Sequence, residues 1–516
     1  MNNADQNNSS LTIKEIGTVT AVYDEILRIE GLPGICEGEI LEGESGQALV
    51  LGFDREKVFA AVLGEWKNFG SGTKLIRTNK QFLTPVGDNF LGRVVNIFGK
   101  PLDQKGGIEA DEFLPIERDA PPIIHRESVN KPLSTGILSI DATIPLGRGQ
   151  RELIIGDRKI GKTTIALEAI INQRQTWWNR GGQSALAKAT ADKPVICVYV
   201  SIGQKKGDLA RVVKTLEKHH ALEYTIVVAA TASDSATENY LAPYVGCTLA
   251  EYFRDKGEDV LVVYDDLTKH SWAYRNISLL LGRPPGREAY PGDIFYAHAR
   301  LLERAAKLDK NHGGGSLTAL PIIETVEGDI TGYISTNLIS ITDGQIYLSP
   351  ELFRKGHRPA VNIGLSVSRV GSAAQIPAIK KLTSKLKLDL GQSAELKKVA
   401  EVSPQSLSKD ARLILEKGER IMSVLSQGEH MLYSLPEQVC IWSVLFSGKV
   451  DDVLASDLPK FFSEFVDFIK HANARLFDDI SAQGGSASGG AAKEWGEELQ
   501  NKIIGNLEKF RQMRIV

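Results

Sequence analysis

A chain of 516 residues is too long for one small core and suits about three domains. Hydrophobic residues make up 42% and charged ones 24%, the balance of an ordinary globular protein, and a formal net charge of −3 argues against a dedicated nucleic-acid binder. The four cysteines (Cys36, Cys197, Cys247, Cys440) are scattered without a C-x-x-C pair, which excludes a paired-thiol motif and fits a reducing compartment. No apolar run approaches the ~20 residues that cross a bilayer, and MNNADQNNSS lacks the layout of a secretory signal. A soluble protein is expected, one that would meet a membrane only through partners.

Residues 1–10 read as a disordered polar tail. From 11 to 83, short runs rich in Val, Ile and Leu are punctuated by glycine: IGTVTAV, EILRIEGL, GEILEG, QALVLGF, VFAAVLG. This is the pattern of a small all-β barrel. From 84 to 375 the rhythm changes. The runs ELIIGD, PVICVYVSIG, YTIVVAAT and DVLVVYDD alternate with helical patterns, and strands so uniformly apolar must be covered on both faces. A central α/β domain with a mostly parallel sheet follows. Over 376–516 strand signals fade and amphipathic helical stretches dominate, interrupted by SAQGGSASGGAA at 481–492. The expected order is β-barrel, α/β domain, helical bundle.

Between ELII and the helical stretch TTIALEAII lies GDRKIGKTT, comprising Gly156, Asp157, Arg158, Lys159, Ile160, Gly161, Lys162, Thr163 and Thr164. G-x-x-x-x-G-K-T in a strand–loop–helix setting turns successive backbone N–H groups, and then a helix N-terminus, onto phosphates. Lys162 would neutralise the β- and γ-phosphates, and the Thr163 hydroxyl would ligate Mg²⁺. The run VLVVYDD supplies a carboxylate at a strand end to hold the metal's water shell. Asp265 is the first choice for its position directly after the buried run, with Asp266 as the alternative. The nine histidines show no metal-ligand spacing, and no Ser–His–Asp arrangement is legible. Trp177 and Trp178 stand in what reads as a surface insertion, where partner contact is one use for them.

With loop and carboxylate in place, the chain resembles the α-subunit family of the rotary F-type ATP synthases. Stretches such as LSTGILSIDATIPLGRGQRELIIGDR, YLAPYVGCTLAEYFRD, GRPPGREAYPGDIFYAHARLLERAAKL and PAVNIGLSVSRVGSAAQ carry the resemblance, with PAVNIGLSVS matching the family's signature. It implies three α and three β subunits alternating in a ring around a rotating shaft. In that family the β subunits catalyse at interfaces with α, the α subunits bind Mg-ATP (or ADP) without turnover, and a proton- or sodium-driven rotor lies in a separate membrane sector. The implied location is peripheral, on the cytoplasmic face of a bacterial membrane, with no nucleic-acid partner.

The resemblance also assigns residues. Where catalytic β subunits carry a glutamate that helps deprotonate the attacking water, CVYVSIGQKKG places Gln204, whose amide accepts no proton at neutral pH. Some GTPases position water with a glutamine, so this residue alone does not decide the matter. Arg369 in SVSRVGS would reach across a subunit boundary to a neighbour's γ-phosphate; the plain alternative is an internal salt bridge. Ser340 matches a residue at the same interface. Arg358 and Pro359 would pack beside the base in this chain's own site, with Gln427 and Glu429 nearby.

Several positions depart from the family pattern. Glu429 stands where an amide is usual, and Lys159–Ile160 replace Gln-Thr, leaving Lys159 either near the phosphates or facing solvent. Only about ten polar residues precede the barrel, where the family has a helix that engages the peripheral stalk, so stalk attachment by the usual route is not implied. SPQSLSKD replaces a short acidic loop in the helical region. These departures suit a divergent member, such as one from an alternative ATPase operon. The loop GRPPGREAYPGD is either a plain surface loop or part of the sleeve around the shaft, where small residues such as Ala289 and Pro291 would slide. Two rivals are a self-sufficient homohexameric ATPase motor of the secretion-export type and a ring-shaped RNA translocase. The first wants a glutamate at position 204, and the second a basic, aromatic barrel rather than the acid-rich EGLPGICEGEILEGESG.

Overall fold

A computed structural model describes residues 15–174, 194–402, 408–484 and 496–515. The polar tail 1–10 and the insertion with Trp177 and Trp178 lie outside the described residues, as do 403–407 of the divergent loop and 485–492 of the glycine-rich stretch. Contrary to expectation, 481–484 are not part of an interruption: they complete a helix, Arg475–Gly484.

Six strands close into an antiparallel barrel in the order β1-β2-β5-β4-β3-β6. They are β1 (Ile16–Tyr23), β2 (Ile26–Glu30), β3 (Glu39–Gly43), β4 (Gly46–Phe53), β5 (Val58–Leu63) and β6 (Lys74–Gln81). Val19, Leu27, Ile29, Leu41, Val50, Val62 and Leu75 fill the interior. The sixth strand, KLIRTNKQ, escapes a reading by apolar runs because only its second residue, Leu75, is buried. It is held instead by pairing and by the Arg77–Glu39 ion pair at 2.9 Å. Both carboxylate oxygens of Glu25, in the β1–β2 turn, accept from Ala236 and Thr237 N–H at 2.9 and 3.0 Å. A barrel anion thus meets the positive end of the Ala236–Asp255 helix and docks the two regions.

β7 (Leu83–Val86) pairs with β9 (Glu112–Pro115) outside the main sheet. The central sheet holds β8 (Val94–Val95), β10 (Leu153–Asp157), β11 (Val195–Gln204), β12 (Thr225–Thr231), β13 (Asp259–Asp265), β14 (Ser316–Thr325), β15 (Gly344–Leu348) and β16 (Val367–Ser368). Their order is β16-β15-β10-β14-β13-β11-β12-β8, parallel throughout except for the antiparallel edge strand β16. Every residue of β12 and β13 is buried, as continuous apolar runs between helical layers require. The carboxyl ends of β10, β11, β13 and β14 open onto one crevice, the place where parallel sheets bind ligands.

The helical region has its own core of Trp442, Phe461, Phe462, Phe465 and Ile469. Leu138 and Ala142 of the α/β region share that core. Ser408, the last part of the divergent loop, caps the Lys409–Val424 helix by accepting from Ala411 N–H at 3.1 Å. Such a cap stabilises a helix by about 1 kcal/mol. In the loop GRPPGREAYPGD, Ala289 is exposed but Pro291 is buried, so only the former lies at the surface.

Candidate functional site: a phosphate loop and an open sheet edge

β10 delivers the polypeptide into the loop, and the Lys162–Asn172 helix carries it away. Gly161 holds φ at +103°, a left-handed geometry that glycine adopts without strain. At Gly156 a Cβ would come within 2.6 Å of the Ile160 Cδ1 and 2.9 Å of the Leu348 carbonyl oxygen, so only glycine fits there. Ile160 is buried over Gly156 in the core, which accounts for an apolar residue at this position. Like Gly156 and Asp157, it does not line the cleft. Asp157 is spent internally, accepting from the Thr325 hydroxyl at 2.6 Å and Gly328 N–H at 2.8 Å.

Arg158, Lys159, Gly161, Lys162, Thr163 and Thr164 line a cleft of about 1410 Å³. Lys159 is exposed and stands on the cleft wall. Lys162 is buried and donates to the Asp157 carbonyl at 2.6 Å. Burial pulls its ammonium below the ordinary lysine value, while Glu324, Asp266, Asp265 and Asp157 work to keep it charged.

Facing the loop, Asp265 at the end of β13 accepts from the Thr163 hydroxyl at 2.8 Å and from the Tyr199 hydroxyl at 2.6 Å. Asp266 turns away to cap the Leu267–Leu280 helix, accepting from Lys269 N–H at 2.9 Å and pairing with the Lys269 ammonium at 2.6 Å. Of the two carboxylates, Asp265 is therefore the one presented to Thr163. Burial pushes the Asp266 carboxyl up to about 6. Among the described residues no three His, Cys, Asp or Glu side chains converge as a metal cage. Mg²⁺ beside a nucleotide takes one or two protein ligands and fills its octahedron with phosphate oxygens and water. A hydroxyl and a carboxylate in contact at the mouth of the loop fit that role.

Gln204, at the end of β11, is buried on the cleft wall. Its amide donates to the Asp265 carbonyl at 3.2 Å and the Tyr199 hydroxyl at 3.4 Å, which leaves its own oxygen, an acceptor of hydrogen bonds but not of protons. Tyr199, Lys269, Glu324 and Glu238 also line or support this cleft, and sequence patterns do not single them out. A hydroxyl inside the apolar run VICVYVSIG, and a lysine three residues after Asp266, are the available signals.

The outer end of the cleft differs from expectation. Glu429 lines it beside His430, but Arg358, Pro359 and Gln427 do not. The Arg358 guanidinium folds back over the Phe353 ring, 3.6 Å from its centroid, and donates to the Phe353 and His357 carbonyls at 2.6 and 2.9 Å. Both amide hydrogens of Gln427 are used internally, on the Gly136 and Met431 carbonyls at 2.9 and 2.5 Å, and its oxygen accepts from Leu138 N–H at 2.7 Å. Gln427 fastens the helical region to the α/β region and has no donor left for a base.

Arg369 follows β16 at the sheet's open edge, its backbone N–H donating to the Asp343 carbonyl at 2.8 Å. Its side chain is exposed, and the guanidinium has no hydrogen-bond or ion-pair partner among the described residues, so the internal salt bridge does not form. Ser340, on the Tyr333–Ile341 helix, is exposed three residues before Asp343 in sequence; its hydroxyl donates to the Asn337 carbonyl at 2.7 Å.

Comparison with known proteins fits this division of parts. Family models match in sequential order: the ATP synthase alpha/beta family beta-barrel domain over 12–79, its nucleotide-binding domain over 136–368, and the C-terminal domain of the alpha/beta chains over 375–499. The protein belongs to the ATP synthase alpha/beta family. Proteins named ATP synthase subunit alpha are similar over most of its length. That of Dehalococcoides mccartyi is 49% identical over 474 residues, 92% of this chain and 91% of the relative. Those of Caldanaerobacter subterraneus subsp. tengcongensis and a Sulfurovum species are 49% and 50% identical, covering 97% and 91% of this chain and 95% and 90% of the relatives. Among the described residues no helix is long and apolar enough to cross a membrane.

Proposed function

We propose that this chain is the non-catalytic, Mg-ATP-binding α subunit in the catalytic head of an F-type ATP synthase, and that it lends Arg369 to the catalytic site of a neighbouring β subunit. The observation that carries the reading is the Arg369 guanidinium, exposed just past the edge strand β16 with no partner among the described residues. A cation with five donors and no partner among the described residues of its own chain is available to an anion on the next one. Placed on a transferring γ-phosphoryl group, such a fork stabilises developing charge and is worth ~10³–10⁵ in turnover. Ser340 is exposed and would face the same neighbour.

In the subunit's own cleft, the backbone at the cleft-lining positions of 158–164 and the Lys162 ammonium would hold the phosphates, and Thr163 with Asp265 would hold Mg²⁺. When bound, the metal supplies neutralisation between the β- and γ-oxygens. Gln204 would hold a water without taking its proton, which leaves that cleft without the base that hydrolysis requires. The expected partners are three β subunits alternating with three copies of this chain, the central shaft, a peripheral stalk, and through them a membrane sector moving protons or sodium ions. The setting is the cytoplasmic face of a bacterial membrane, and the domain limits are 11–83, 84–375 and 376–516. Purified alone, the subunit should bind ATP and turn over at background; with its β partner the ring should hydrolyse. Steady Mg-ATPase from the isolated subunit would overturn the reading.

A further inference from the structure

Glu152 is a buried carboxylic acid outside the nucleotide cleft, at the foot of β10, with no exposed surface. Its Oε2 accepts from the Gln150 amide at 2.7 Å, and its Oε1 has no hydrogen-bond partner among the described residues. The Gln150 amide has no freedom left: the same nitrogen donates to the Ser368 hydroxyl oxygen at 3.1 Å, and its oxygen accepts from Gly147 N–H at 2.8 Å. Ser368 is the last residue of β16 and the one immediately before Arg369. Its hydroxyl donates to the Pro145 carbonyl at 2.9 Å and accepts from Gly371 N–H at 3.2 Å, so one side chain ties down the backbone on both sides of the arginine.

The packing under this strand end is equally close. Gly344, paired with Ser368, holds φ at +156°, and a Cβ there would lie 2.1 Å from the Val367 carbonyl and 2.7 Å from Glu152 Oε2. The carboxyl group therefore lies directly beneath the β15–β16 bridge. Burial, with Asp343 adding to it, pushes this carboxyl well above its ordinary value, and the Gln150 hydrogen bond with the attraction of Lys387 and Arg369 offsets that only in part. That imbalance calls for a return outside the subunit's own folding energy.

We propose that Glu152 is the positioning residue of the Arg369 finger, acting through Gln150 and Ser368 to fix the strand end from which the guanidinium projects. The inference rests on the trans-acting role of Arg369 proposed above. Arg369 contributes only if its donors meet the neighbour's γ-phosphate in the transition state, and a strand end free to shift by an ångström would forfeit much of that. The open position of the guanidinium in the isolated subunit agrees with a mount that works before any neighbour arrives.

The test uses the reconstituted ring with its β partner. Glu152→Ala should lower kcat on the order of tenfold with KM at the catalytic sites little changed, because only a transition-state contact is misplaced. Glu152→Gln keeps an acceptor for the Gln150 amide and should recover most of that loss. Ser368→Ala, which leaves the buried acid untouched, should match Glu152→Ala, and the double variant should fall no further than either single. Losses that multiply, a KM that rises in step with the fall in kcat, or full kcat in Ser368→Ala would overturn the mount. If Glu152→Ala fails to assemble, Ser368→Ala carries the kcat-against-KM comparison alone. Arg369→Ala is assayed alongside: undiminished turnover there refutes the finger itself, a failure distinct from that of its mount.

Discussion

The phosphate loop and the β16 edge lie on the same sheet and treat their cations in opposite ways. Around the loop, Lys162 is buried among four carboxyl groups, Asp266 is paired with Lys269, and Asp265 holds the Thr163 and Tyr199 hydroxyls. Each of these three side chains has its partners within the subunit. At the edge, the Arg369 backbone is anchored by a hydrogen bond while its guanidinium is left to solvent. The difference teaches where each site is completed. On the proposed function, the loop is completed by a ligand that brings its own phosphates and metal, and the edge by another subunit.

Two substitutions separate these roles most sharply. Arg369→Ala should reduce ring turnover ~10³-fold or more while ATP binding by the isolated subunit is unchanged. Steady-state hydrolysis of the ring, set beside equilibrium nucleotide binding to the subunit alone, reads both quantities. If the same substitution weakens the subunit's own nucleotide binding, the edge and the loop are not separate sites. Lys162→Ala should do the reverse, weakening nucleotide binding to the isolated subunit about tenfold to a hundredfold through loss of a charge-assisted contact. Unaltered affinity in that variant would mean that the nucleotide is held elsewhere.

Legibility from sequence divides along the same line. Continuous apolar runs with carboxylates or glycines at their ends announce β10, β11 and β13, so local pattern places the loop and Asp265, while Gln204 is singled out only through the family resemblance. The polar strand β6 is not announced, because its place depends on closure with β1 and β3, a long-range pairing that leaves little trace in its own residues. Gln427 shows the opposite failure. An amide in a loop looks free in sequence, and only the fold reveals that Gly136, Leu138 and Met431 consume its hydrogen-bonding capacity. Ile160 looks anomalous in a phosphate loop until the packing over Gly156 gives it a core position. The sequence carries no sign that the guanidinium of Arg369 is unpaired, since that depends on which acids lie within reach in space.

A smaller effect is expected from Glu238, a cleft residue in the first turn of the Ala236–Asp255 helix. Burial, with Asp234 and Glu25 adding to it, pushes this carboxyl up to about 7. Below that pH it is neutral, and above it a new anion faces the phosphates. Nucleotide affinity of the isolated subunit should therefore fall a few-fold between about pH 6 and 8, as a partly screened charge would cause. Glu238→Gln should flatten that part of the profile. The same shift acts on stability: the folded protein keeps this proton until about pH 7, so the contribution present at acidic pH is lost as pH rises through that value. A pH profile unchanged in the variant would remove Glu238 from the account.

The smallest expected effect on turnover is also the most direct challenge to the comparison. Gln204→Glu introduces the carboxylate that a hydrolytic site needs, at the end of β11 where the amide now bonds the Asp265 carbonyl and the Tyr199 hydroxyl. An acid there loses both donations and stands beside Asp265, so binding should weaken slightly. Turnover of the isolated subunit should stay at background all the same. A base activates the water, but nothing in a lone subunit supplies a cation from across a boundary to the γ-phosphoryl group, and that contribution is the larger of the two. Measurable hydrolysis by the isolated Gln204→Glu subunit would mean that one side chain is all that separates the two kinds of site. Background turnover, in a variant that still binds ATP, would place the missing part in another subunit, as Arg369 is missing from its own.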